Sequence, residues 1–208
     1  MIRVLPSDAL RRMPWKNGRG TTLEIASDSP APGEPWTWRF SVADVPESGP
    51  FSRFEGCERL IGCVDGRGMR LVIDDAAPRD VPAAGPGLRF SGEANTIGHL
   101  IDGPVRDANL MYARHLWRGE LEVLRDAASR RIERFGSAMV YAVTGQAVVR
   151  SGRDERTIEA GQAAIVTSVE VLVTAAADAV IVSASLEATG GRLANEGQGA
   201  SAPPASSR

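Results

Sequence analysis

Leu60-Ile61-Gly62-Cys63-Val64-Asp65-Gly66-Arg67-Gly68-Met69-Arg70-Leu71-Val72-Ile73 sets two short apolar runs on either side of a glycine-rich tetrad. Neither run is long enough for a helix, and both are bounded by turn residues, so the stretch reads as two strands joined by a glycine-supported turn. The form returns downstream. Met139-Val140-Tyr141-Ala142-Val143, Thr144-Gly145-Gln146 and Ala147-Val148-Val149-Arg150 repeat it, with Gly66 and Gly145 at equivalent turns. Two such hairpins predict an internal duplication, hence two related β units. Turn spacing alone does not separate a barrel from a sandwich.

The neighbouring segments agree. Trp36 to Val42 alternates large apolar residues with others. Arg156 to Val166 reads as strand, glycine turn and strand, and Val169–Val173 and Ala179–Ala184 complete the set. The best helix signal is Pro6–Met13, where Ser7 or Asp8 would cap a short turn that Pro14 ends. The tail from Ala188 to Arg208 is rich in Gly, Ala, Ser and Pro and is expected to be disordered.

Composition narrows the function classes. A net charge of −2 argues against a nucleic-acid footprint or a membrane-surface protein. No apolar run approaches the roughly 18 residues of a spanning helix, and the first eight residues lack a signal-peptide core, so the expected compartment is the cytoplasm. Cys57 and Cys63, six apart with no CxxC or histidine beside them, are expected to be reduced, buried thiols. His99 and His115 form no H-x-H or H-x-x-x-H pair, so no metal and no cofactor are expected. Gly18-Arg19-Gly20 fits neither a dinucleotide fingerprint nor a Walker loop. No G-x-S-x-G elbow occurs.

Three segments place hydrogen-bonding side chains on one strand face and apolar ones on the other. These are Thr22/Glu24, Arg39/Ser41 and Asp107/Asn109, opposite Leu23/Ile25, Phe40/Val42 and Ala108/Leu110. A solvated sheet surface gives the same pattern for any one segment. Three together, beside heavy aromatic residues, suggest an inward polar pocket.

These segments carry a family resemblance. Pro14-Trp15-Lys16-Asn17-Gly18-x-Gly20-Thr21-Thr22-x-Glu24-Ile25, Trp38-Arg39-x-Ser41-x-Ala43-x-Val45, Gly49-Pro50-Phe51-Ser52-x-Phe54 with Arg59 following, and Gly103-Pro104-Val105-x-Asp107-x-Asn109-x-Met111 resemble, in order, four motifs of the HutD/Ves family. They span about the first 112 residues. The resemblance implies an all-β, cupin-type double β-barrel (a bicupin) with few short helices. Its expected divisions are an N-terminal barrel over 1–112, a C-terminal barrel over 113–187 and a tail over 188–208. It also implies a link to histidine utilisation, through binding of N-formylglutamate or a related acid. The sequence departs from the family pattern at Arg19 and Ala108.

On this reading Lys16, Arg39 and Arg59 supply positive charge, and Glu24 and Asp107 partly balance it. Asn17, Thr22, Ser41 and Asn109 supply directional hydrogen bonds. Three cations against two carboxylates suit a small anionic or zwitterionic metabolite. The alternatives are a metal-independent hydrolase or isomerase with Glu24 or Asp107 as general base, and a protein-interaction module. A homodimer stays open.

Overall fold

The structure, a computed structural model, describes residues 1–15, 20–30, 34–133, 136–168 and 170–190. It is nearly all strand. The N-terminal half has a six-stranded sheet in the order Leu88–Ser91, Cys57–Asp65, Val105–Ala113, Trp38–Val45, Thr21–Ser27, Arg11–Pro14. A four-stranded sheet of Gly49–Pro50, Thr96–Leu100, Met69–Ile73 and Arg79–Asp80 faces it. The C-terminal half repeats the plan. Its six-stranded sheet runs Ile2–Leu5, Ala163–Val166, Ser137–Thr144, Val180–Ala188, Trp117–Leu124, Gly85–Pro86, and its four-stranded sheet runs Ser129–Glu133, Glu170–Ala175, Gln146–Ser151, Asp154–Glu159. Ile2–Leu5 and Gly85–Pro86 pair with strands beyond residue 113 and so cross from 1–112 into the C-terminal half.

Three apolar layers hold these four sheets together. Phe40, Val42, Leu60, Ala108 and Leu110 pack with Leu121, Met139, Tyr141, Val182 and Leu186 between the two six-stranded sheets. Within the N-terminal half, Ala43, Ile61, Cys63 and Phe90 meet Met69 and Leu71. Within the C-terminal half, Ala138, Val140 and Ile181 meet Ile132, Val149, Val171 and Val173. Central strands therefore bury both faces, which is why Cys57–Asp65 reads as a continuous apolar run instead of an alternating one.

The predicted duplication is present, but the predicted hairpins are not. Cys57–Asp65 and Met69–Ile73 lie in different sheets, and so do Ser137–Thr144 and Gln146–Ser151. Each glycine turn is a corner that carries the chain from the six-stranded to the four-stranded sheet. Gly66 (φ 90°) and Gly145 (φ 66°) do occupy equivalent corners. A register shift precedes each: Val64 is passed over between Cys63 and Asp65, and Val143 between Ala142 and Thr144. The Gly66 corner is tight. A Cβ there would stand 2.5 Å from the Pro104 carbonyl oxygen and 2.9 Å from Val105 Cα. Gly66→Ala is therefore expected to cost ~1–3 kcal/mol in urea denaturation, and an unchanged midpoint would mean that the corner relaxes freely.

At the N-terminus, Ser7–Ala9 forms one 3-10 turn whose N-cap is Pro6, without a side-chain cap. The expected caps are not made, because Arg11–Pro14 is drawn into a strand against Thr21–Glu24. Lys16 and Asn17, Val169 and the tail from 191 to 208 lie outside the described residues. Cys57 and Cys63 are free, with Cys63 buried and Cys57 half-buried. Among the described residues, no helix is long and apolar enough to cross a membrane.

Candidate functional site

Strand register assembles the site. In the N-terminal six-stranded sheet, Phe90, Arg59, Met111, Arg39 and Ser27 stand in one cross-strand row. The next row is Leu88, Ile61, Asn109, Ser41 and Glu24, and the third is Cys63, Asp107, Ala43 and Thr22. All share the face that looks toward the four-stranded sheet. The structure thus brings Thr22, Glu24, Arg39, Ser41, Arg59, Asp107 and Asn109 together as inward neighbours. Exposure rises across the sheet: Arg59, Asp107, Asn109 and Ser41 are buried, whereas Arg39, Glu24 and Thr22 are half-buried. The cluster opens toward the strands Trp38–Val45 and Thr21–Ser27.

Its buried end is a relay. Arg59 Nη2 donates to Asn109 Oδ1 at 3.0 Å, and the Asn109 amide nitrogen donates to Asp107 Oδ1. Arg59 Nη1 reaches the Ser52 carbonyl at 3.3 Å. The guanidinium lies over Phe51, Phe90 and Phe54, with ring centroids at 4.9, 5.1 and 5.9 Å. Such desolvated cation–aromatic contacts are among the stronger of their kind. Burial pulls the Arg59 pKa down to about 10 against the attraction of Asp107, with Arg39 lowering it further. Burial likewise pushes Asp107 up to about 7, opposed by Arg59 and the Asn109 hydrogen bond.

The open end is less committed. Arg39 approaches the Met111 sulfur at 3.7 Å and lies 5.0 Å from the Trp36 ring centre. Among the described residues it has no carboxylate within ion-pair distance, and its Nε is buried with no hydrogen-bond partner. Burial lowers its pKa, opposed by Glu24 and Cys57. Glu24 is held at arm's length by Arg11 (3.8 Å) and accepts from Ser27 Oγ at 3.2 Å. Thr22 accepts from Trp15 Nε1 at 2.9 Å.

Sequence reasoning missed Phe90 and the Ser52 carbonyl as Arg59 partners. It also missed Trp36 as the surface beneath Arg39. Phe51 and Phe54 carried a signal, since both stand in the third motif, but Phe90 carried none. A separate concavity of about 290 Å³ lies by Thr21, Asp44, Pro104 and Arg106, at the ends of these strands. There Asp44 already accepts from Thr21 and Arg12 and pairs with Arg106, so its charges satisfy one another. A transition metal does not suit the inward face. It presents guanidinium groups, both imidazoles are exposed at the surface, and no group of three His, Cys, Asp or Glu among the described residues could hold a metal.

Fold and site together describe a protein of the cupin fold whose N-terminal half encloses an arginine-bearing polar cluster. Over residues 7–183 the chain matches the HutD family model, and it belongs to that family. It is 36% identical over 154 residues to an uncharacterized 21.2 kDa protein in the hutC 3′ region of Pseudomonas putida, covering 74% of this chain and 80% of that one. Among solved structures it resembles a conserved protein of unknown function from Pseudomonas aeruginosa (TM-score 0.79, 32% identity, 90% and 99% of the two chains). It also resembles HutD from Pseudomonas fluorescens (TM-score 0.73, 28% identity, 91% and 100% of the two chains). A wider likeness to Lactobacillus farciminis oxalate decarboxylase (TM-score 0.55, 9% identity, 88% and 85% coverage) concerns the fold alone.

Proposed function

We propose that the N-terminal cluster binds a small carboxylate and that the protein moderates a metabolic pathway through that binding. Each two-sheet half is read as one cupin barrel, with the ligand entering the first beside Trp38–Val45. The observation that carries this reading is Arg39. A half-buried guanidinium whose Nε is buried and unpaired among the described residues, with only a sulfur and an aromatic face against it, has unused donors. A carboxylate can take two of them in parallel. Glu24, close enough to act on Arg39 but not paired with it, suits a second, amine- or amide-bearing end of the same ligand.

The resemblance to HutD/Ves makes N-formylglutamate or a related acid of histidine catabolism the first candidate. The P. fluorescens structure is of a formate condition, and formate is the simplest probe of the carboxylate half. The test is thermal stability across N-formylglutamate, glutamate, urocanate, histidine and formate, with EDTA as control. A ligand at about 100 times its Kd adds ~2.7 kcal/mol to the folded state, enough to raise the midpoint by several degrees. Arg39→Ala is expected to weaken binding by ~1.5–3 kcal/mol, roughly 10- to 150-fold, with the midpoint of the unliganded protein little changed. Equal affinity in the variant would take Arg39 out of the site.

Asp107, titrating near neutrality, favours a second reading as a metal-independent enzyme. Its carboxyl is fully buried behind Asn109, which ranks that reading lower. Turnover of a bound acid, with a pH–rate profile displaced in Asp107→Asn or Glu24→Gln, would reverse the order. An interaction module is the remaining alternative, and tight self-association without any acid response would bring it forward.

A further inference from the structure

The internal repeat lets each residue of the N-terminal site be matched to a counterpart in the C-terminal half. Both register shifts fix the match, with Arg106 opposite Asp65 corresponding to Val180 opposite Thr144. Counting from there, Asp107 corresponds to Ile181, Asn109 to Ser183 and Arg59 to Ala138. Across the next ladder, Ser41 stands opposite Asn109 as Glu122 stands opposite Ser183. Arg39 therefore corresponds to Glu120. The cationic relay is gone from the second half, and two carboxylates stand where an arginine and a serine stood.

These carboxylates are not left bare. Glu122 shares the inward face of Leu124, which lies in the C-terminal core with Ile132. Arg130, two residues before Ile132 on the four-stranded sheet, reaches across to both. Its Nη2 meets Glu120 Oε2 at 2.5 Å and its Nη1 pairs with Glu122. Directly opposite Glu122, Ser183 is 1% exposed, and its hydroxyl has no hydrogen-bond partner among the described residues. A buried hydroxyl is normally satisfied, so this one keeps unused hydrogen-bonding capacity on the face that carries Glu122.

We propose that the C-terminal half holds a second binding site of opposite charge, one that takes an ammonium or guanidinium group and is closed by the chain's own Arg130. Two carboxylates and an unpaired hydroxyl make an acceptor-rich cradle, the complement of a group that carries only donors. Arg130 demonstrates the chemistry, since its guanidinium already lies against the two carboxylates. One guanidinium against two carboxylates leaves that group of three net negative, and Ser183 is left unserved. The closure comes from an edge strand: among the described residues the backbone of Ser129–Glu133 pairs with Glu170–Ala175 alone.

The probe is methylguanidinium, titrated calorimetrically at constant ionic strength against sodium chloride. A tethered guanidinium competes with the free one, so removing it is expected to strengthen binding. Arg130→Ala is predicted to bind methylguanidinium at least tenfold more tightly than the unaltered protein, and Glu122→Gln added to it is predicted to abolish the gain. Arg131→Ala, which instead frees the exposed Glu170 carboxylate, should leave this affinity unchanged. Equal or weaker binding in Arg130→Ala overturns the proposal. Arg130→Gln serves where the alanine variant does not fold. Failure of both to fold, with Glu122→Gln folding normally, would make Arg130 a structural tie and overturn the proposal as well.

Discussion

Asp107→Asn is expected to stabilise the protein at pH 8 and to flatten the pH dependence of its stability. In the folded chain Asp107 is 1% exposed, receives one hydrogen bond from Asn109 and reaches Arg59 only through it. Its pKa lies at about 7, where an ordinary aspartate has 3.8, with burial as the main cause. Between these values the folded state keeps a proton that the unfolded chain has released. Its contribution to stability is therefore full below pH 3.8 and is lost as pH rises through 7. Between pH 4.5 and pH 8 the loss is ~3 kcal/mol, from 1.36 kcal/mol per pKa unit.

Asparagine resembles the protonated acid: neutral, and still able to accept from the Asn109 amide. The stability difference between variant and parent should therefore swing by ~3 kcal/mol in the variant's favour as pH rises from 4.5 to 8. Urea denaturation at a series of pH values measures it, and comparing the two proteins cancels the other titrating groups. A constant difference across that range would show that Asp107 is not the proton-holding group. The same ionisation bears on ligand binding. An anion beside Arg39 is favoured while Asp107 is neutral, so affinity for a carboxylate should weaken from pH 6 to pH 8.

The faces of the strands were legible in the sequence because the side-chain period of a strand is two. Thr22 with Glu24, Arg39 with Ser41 and Asp107 with Asn109 all point the same way in the structure, as spacing requires. What spacing does not carry is strand order. That Asn109 lies between Ser41 and Ile61, and Met111 between the two arginines, follows from register across three strands far apart in the chain. The glycine turns were misread for a related reason. A hairpin and an inter-sheet corner both need a glycine at positive φ between two apolar runs, and they differ only in what each strand pairs with. Leu60, Ile61, Cys63 and Val64, buried on both faces of one strand, were the available hint that this strand lies between two layers. The unequal roles of Arg39 and Arg59 were not legible at all. Both are arginines on inward strand positions; what separates them is that Phe51, Phe54 and Phe90 close over Arg59 and that it bonds Asn109 and the Ser52 carbonyl.

That separation has an energetic consequence. Arg59→Ala is expected to destabilise the protein by ~3–5 kcal/mol, the largest effect of any single substitution in the site. The change opens a space among three phenylalanine rings, orphans Asn109 Oδ1 and the Ser52 carbonyl, and removes the cation that moderates Asp107. Loss of packing and loss of charge can be told apart. Arg59→Met keeps an unbranched stem among the rings while removing the charge, so it should recover the packing part of the loss and none of the electrostatic part. The electrostatic part then depends on Asp107. With its countercharge gone, the buried carboxylate is costly when ionised, so Arg59→Met should be much less stable at pH 8 than at pH 5. Adding Asp107→Asn should restore ~1–3 kcal/mol at pH 8, read as a coupling energy in a double-mutant cycle. A coupling near zero would mean that Asn109 insulates the two charges from each other. Arg59 would then hold the aromatic wall of the site by packing alone, leaving Arg39 as the cation that faces a ligand.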